Sequence, residues 1–158
     1  MYAERVDEPY RHTQIGWSLI AIVVGVGLLE LTIVALSTVS TFAITLAGAT
    51  AAIFAVLLVM FATLTVLVDD KALHLWFGVG LLRRVVPLGD VVAARSMRIP
   101  WWTGWGVRAV SHGWLYRVGG RDAVELELDN GRVVRVGSDE PAALLAAVKR
   151  TVGTKERP

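Results

Sequence analysis

The chain has 158 residues, 54% apolar and 19% charged, a balance too greasy for an ordinary soluble domain and long enough for one domain with a membrane anchor. Its net charge of +2 breaks down as −1 over residues 1–14, a single acid, Glu30, over 15–68, and fourteen bases against ten acids over 69–158. No Lys/Arg run exceeds two residues, so a nucleic-acid partner is not expected, and the absence of cysteine excludes disulfides and thiolate sites.

In chain order, residues 1–14 read as an N-terminal tail. Residues 15–36, "IGWSLIAIVVGVGLLELTIVAL", and 42–62, "FAITLAGATAAIFAVLLVMFA", are then two apolar runs broken only by Glu30. Each exceeds or matches the roughly 20 helical residues that cross a bilayer core of about 30 Å. Only Ser37–Thr41 separates them, which predicts an antiparallel hairpin over 15–63. A cleaved signal sequence is the competing reading of the first run; its length and Glu30 argue against it. The short loop has no Lys or Arg, whereas Arg5 and Arg11 precede the hairpin and Lys71, Arg83 and Arg84 follow it. Both termini are therefore expected on the cytoplasmic side, in the inner membrane of a bacterium, since thirteen arginines against three lysines fit a GC-rich genome. Trp17 is placed as an aromatic anchor at the inner interface.

Ala43, Ala47, Ala51 and Ala55 recur on one face of the second run, and Ala21 and Gly25 form a small-xxx-small pair in the first. Close packing of these residues is expected to hold the helices together or to pair two hairpins as a homo-oligomer. Glu30 is the one ionisable group in the span. It is either a proton or ion site or a glutamate hydrogen-bonded to Thr45 or Thr50 of the second helix.

From Leu64 the apolar period changes to two. The stretches "LTVLVDD", "ALHLWFG", "LLRRVVP", "DVVAARSMRI", "VRAV", "WLYRV", "AVELEL" and "RVVRVG" read as strands. In the last pair, an Asp129-Asn130-Gly131 turn sets Leu126 opposite Val134 and Glu125 opposite Arg135. A two-residue Asn130-Gly131 turn would mix the faces. A helix over 140–152 follows, capped by Ser138 or Asp139, stopped at Gly153, with 153–158 as a flexible tail. The fold class expected is α+β: a transmembrane hairpin, then an antiparallel β-roll or barrel over 64–152 closed by its C-terminal helix.

"VDDKALHLWFGVGLLRRVVPLGDV" resembles the opening strands of the bacterial pleckstrin-homology-like membrane proteins. "GWGVR" and "GWLYRVGGRDAVELELDNGRVVRVGSDEPAALLAAV" resemble an uncharacterised subgroup of them. The resemblance covers most of 15–152 and implies a PH-like roll without catalytic motifs. Phosphoinositide-binding members of the wider superfamily use a basic loop between their first two strands. Here that turn is Asp69-Asp70-Lys71, so headgroup recognition is not expected there.

The second apolar run continues into its first strand without Gly or Pro. Counting strands away from the bilayer and back then puts 77–80, and later the loop from Ile99 to Gly106, on the membrane-proximal side. Trp101, Trp102 and Trp105 in that loop are expected at headgroup level, with Arg95 and Arg98 behind them meeting anionic lipid. The competing readings are a plug in the barrel mouth and an aromatic groove for a partner peptide.

No chemistry is legible. His12, His74 and His112 pair with nothing at metal spacing, "GVG" at 78–80 opens no helix, and Arg132 and Arg135 are expected to neutralise Glu125 and Glu127 across strands. No catalytic residue, cofactor or metal is expected. The function expected is a non-enzymatic, membrane-anchored interaction or scaffolding module with membrane lipid and an unidentified protein as partners. The alternative is a subunit of a transport or signalling assembly that uses Glu30.

Overall fold

The computed structural model of the chain describes residues 9–36 and 40–155. The elements are β1 (Tyr10–Ile15), α1 (Trp17–Leu36), α2 (Thr41–Phe61), β2 (Thr63–Val68), β3 (Ala72–Phe77), β4 (Leu82–Pro87), β5 (Val91–Arg98), β6 (Gly106–Val110), β7 (Gly113–Arg117), β8 (Asp122–Leu128), β9 (Val133–Gly137) and α3 (Pro141–Lys155). Residues 1–8 of the expected tail, 37–39 of the inter-helix loop and 156–158 of the C-terminal tail lie outside the described residues.

Two elements depart from expectation. Residues 10–15 form a strand instead of tail and helix, because β1 completes the edge of β2: Tyr10 pairs with Val68 and Ile15 with Thr63. The C-terminal helix runs through Gly153 to Lys155. A lone glycine weakens a helix by only about 1 kcal/mol, and the apolar side chains of this helix are anchored in the core.

Helices α1 and α2 are long and apolar enough to cross a membrane, and neither has a residue buried within the protein. Ser40 caps α2, its Oγ accepting from the Ala43 N–H at 3.2 Å. The half-buried positions Val23, Val26, Glu30 and Val34 of α1, and Ala43, Ala47, Thr50 and Phe54 of α2, repeat at helical spacing and mark the seam between the two helices. The alanine stripe thus contributes only its first half, and nothing approaches Gly25 or Gly27. Gly25 and Gly27 are exposed and lie off this seam.

The β-strands form two sheets, ordered β1-β2-β3-β4 and β5-β8-β9-β7-β6. Neither closes into a barrel or curls into a roll, so the expected PH-like roll or barrel is overturned. The cause lies in two connections. The chain leaves β4 through a 3-10 turn, Leu88–Asp90, and β5 then pairs with β8 instead of β4. Later β7 pairs in parallel with β9, which leaves β6 as an outer strand. The fold is α+β with two open sheets face to face.

Alternation drives the packing. Leu64, Val66, Leu73, Leu75, Phe77 and Val86 of the first sheet meet Tyr116, Val124, Leu126, Val134 and Val136 of the second, all buried. Leu144, Ala147 and Val148 of α3 enter the same core and cover the gap on the side of β5 and β8. Each fully buried large side chain contributes roughly 1.5–3 kcal/mol. The β8–β9 register is the one that burial selected, Leu126 opposite Val134 and Glu125 opposite Arg135. Gly131 takes φ +74° in its turn.

Candidate functional site

The two apolar helices are stitched into one sheet. Strand β1 runs directly into α1 and α2 runs directly into β2, and these strands pair at the point where the helices begin and end. Ile15 lies opposite Thr63, and the Gly16 N–H donates to the Ala62 carbonyl at 2.7 Å. The β3–β4 turn is pressed onto the same junction. Gly78 donates to the Thr63 carbonyl at 3.0 Å with φ +46°, and a Cβ there would collide with the carbonyl oxygens of Val59 and Met60. Only glycine meets both demands. Beyond it, Val79 and Leu81 are 71% and 73% exposed beside the last turn of α2.

The tryptophan loop reaches this end from the other sheet. Arg117 donates to the carbonyls of Pro100, Gly119 and Gly120. The Val118–Gly120 stretch in turn lies against Gln14, Ile15 and Gly16. The rings of Trp101 and Trp102, edge to face with centroids 6.1 Å apart, are 72% and 71% exposed. They plug no core. Trp105 is also exposed, and Trp17 stands exposed on the first residue of α1. Five exposed apolar side chains, Trp17, Val79, Leu81, Trp101 and Trp102, therefore share the end from which the helices leave.

The cations behind the loop are engaged. Arg95 and Arg135 flank Glu125, with Arg135 Nε donating to the carboxylate at 2.6 Å, and Arg98 Nε lies 3.4 Å from Asp122. Burial would raise the Glu125 carboxyl, but the hydrogen bonds from Arg135 and Arg95 outweigh it and hold it below its ordinary value. Arg135 is the expected cross-strand partner; Arg132 takes no part, and Arg95 takes its place because β5 lies on the other side of β8.

Glu30 is half-buried on the helix seam. The hydroxyls expected to meet it are used within their own helix, Thr45 on the Thr41 carbonyl and Thr50 on the Leu46 carbonyl, at 2.9 and 3.0 Å. No second ionisable side chain lies in either helix.

Two of the histidines tie local elements together. His74 Nε2 lies 2.8 Å from Asp69 Oδ2, and Asp69 Oδ1 accepts the N–H groups of Lys71 and Ala72, so this carboxylate is committed to its turn. His12 Nε2 lies 2.7 Å from Asp139 and ties β1 to the start of α3. His112 is a turn residue with φ +66°. Tyr10, beside this contact, has its phenol pushed up to about 12 by burial and by the charges of Glu140 and Asp139.

The exposure of Val79 and Leu81 and the role of Arg95 were not foreseen. The aliphatic "GVGLL" turn was a usable signal, because two large apolar residues in a glycine turn serve neither strand face. Protein-family models and curated proteins were both compared with the chain, and none matches.

Proposed function

We propose that the protein is a non-catalytic, membrane-anchored interaction module. Its helical hairpin spans the bilayer, and its two-sheet unit sits on the cytoplasmic surface, braced there by the exposed side chains around the junction. The observation that carries this reading is the pairing of β1 with β2 across the feet of both helices. It gives the helices no hinge, so the tips of the β3–β4 turn and the tryptophan loop are held where headgroups would lie. Indoles favour that zone because one edge stays wet, and each large apolar side chain removed from water there contributes about 1.5–3 kcal/mol. Arg95 and Arg98 contribute less to anionic lipid than free cations would, since acids already face them. The arginines around the sheets and the uncharged inter-helix loop support the cytoplasmic orientation.

Full-length protein in vesicles with brominated lipids tests this. Quenching should fall by about half or more on Trp101→Phe/Trp102→Phe (roughly, if these rings hold the shallow interfacial positions). Quenching from Trp17 alone would remove the brace while leaving the anchor. A reporter fused after Pro158 that appears outside the cell would overturn the orientation.

A further inference from the structure

The space between the sheets is covered on one side and open on the other. Helix α3 covers the side of β5 and β8, with β1 tied to its start through His12. On the far side β4 ends the first sheet and β6 ends the second, and each is paired with one neighbour only. A cleft of about 260 Å³ lies between them, with Leu75, Phe77 and Tyr116 at its base and Leu82, Val107 and Trp114 along its sides. A second cleft of about 450 Å³ continues toward the β8–β9 turn; Arg84 and Trp114 line both, and Arg132 lies in the second.

Charge sets this seam apart. On the outer face of the second sheet, Arg95, Arg98 and Arg135 each face Glu125 or Asp122. Along the seam, Arg83, Arg84 and Arg132 form no ion pair among the described residues, and no carboxylate lines either cleft. An unpaired strand edge presents a row of free N–H and C=O groups ready to accept another strand. Peptides added in this way gain affinity from main-chain bonds and specificity from alternate side chains.

We infer that this seam binds an extended, acidic segment of a partner protein. The segment adds as a strand to β4 or β6, places carboxylates on Arg84 and Arg132, and lays an apolar side chain on Trp114. A lipid fits the far half of the seam poorly. Arg132 and the start of β7 lie beside the β8–β9 turn, at the opposite end of the strands from Val118–Gly120, which packs on the helix junction. The inference rests on the reading of the chain as an interaction module and not on its brace against lipid.

The test uses the full chain in detergent micelles and a fluorescent peptide of alternating glutamate and valine. Its controls are the glutamine-for-glutamate peptide and one with proline at alternate positions, which removes ladder donors. The glutamate peptide should bind best, protect amides of β4 or β6 from hydrogen exchange, and lose about tenfold or more in affinity in Arg84→Glu/Arg132→Glu. Raising salt from about 0.1 to about 1 M, which shortens screening from roughly 10 to 3 Å, should weaken it further. Absent binding, equal binding of all three peptides, protection away from both edges, or seam crosslinks between copies of the chain that the peptide does not displace would overturn the inference. Amide protection needs no variant, so a misfolded double substitution leaves the test intact. Vesicle quenching of the same preparation shows separately whether the membrane reading stands.

Discussion

Replacing Glu125 with glutamine should destabilise the sheet unit by about 1.5–4 kcal/mol. The side chain keeps its volume, so no cavity arises and the loss is electrostatic. The two guanidiniums contribute unequally: Arg135 is 25% exposed and Arg95 72%, while the carboxylate between them is 3% exposed. The partly buried charged bond to Arg135 is worth roughly 1.5–3 kcal/mol. The bond to Arg95 adds about 0–1 kcal/mol, because that side chain regains water once released. Urea unfolding of the full chain in micelles, followed by indole emission, should therefore rank Glu125→Gln and Arg135→Gln well above Arg95→Gln. The carboxyl is held below its ordinary 4.5. Its contribution is complete above that value and is lost as pH falls through the lower folded-state value, so parent and Glu125→Gln should converge only below the latter. A cost under about 0.5 kcal/mol, or equal costs for the two arginines, would refute the assignment of the network's strength to Arg135.

Gly78→Ala should lower stability by more than the roughly 1–2 kcal/mol of a left-handed backbone, because its Cβ also meets the end of α2; thermal unfolding in micelles measures this. Ultraviolet absorbance titration should show one tyrosine ionising near 12, lost in Tyr10→Phe. The folded state keeps that proton after the unfolded chain has released it at 10.0, so stability should fall as pH rises above 10.0 and fall less in the phenylalanine variant. Glu30→Gln should leave hairpin assembly and peptide binding unchanged, read by crosslinking and fluorescence; loss of either would restore the intramembrane carboxylate as a working group.

Local patterning read most of the strands. The β8–β9 register was legible because a slip of one residue would have set Leu126 opposite Arg135 and mixed apolar and charged side chains on one face. Strand β1 was not, since "YRHTQI" lacks apolar alternation and its partner lies beyond both helices. The barrel expectation failed because no local signal tells β5 to pair with β8. The same non-local pairing hid the link between Arg95 and Glu125. Up and down alternate even when the chain changes sheet at Leu88–Asp90, and the tryptophan loop lies at the end of the strands from which the helices leave. Exposure then removed the core-plug reading of Trp101 and Trp102, which composition could not do.

The joining of β1 to β2 has a consequence for biogenesis. In the chain's connectivity, the entire hydrophobic hairpin takes the place of the tight turn in an ordinary two-strand ribbon. Synthesis supplies β1 first, yet its partner emerges only after both apolar segments; on the membrane-spanning reading proposed above, the ribbon can zip only when those segments have crossed and returned. On that reading, the pairing of β1 with β2 follows the insertion of both helices.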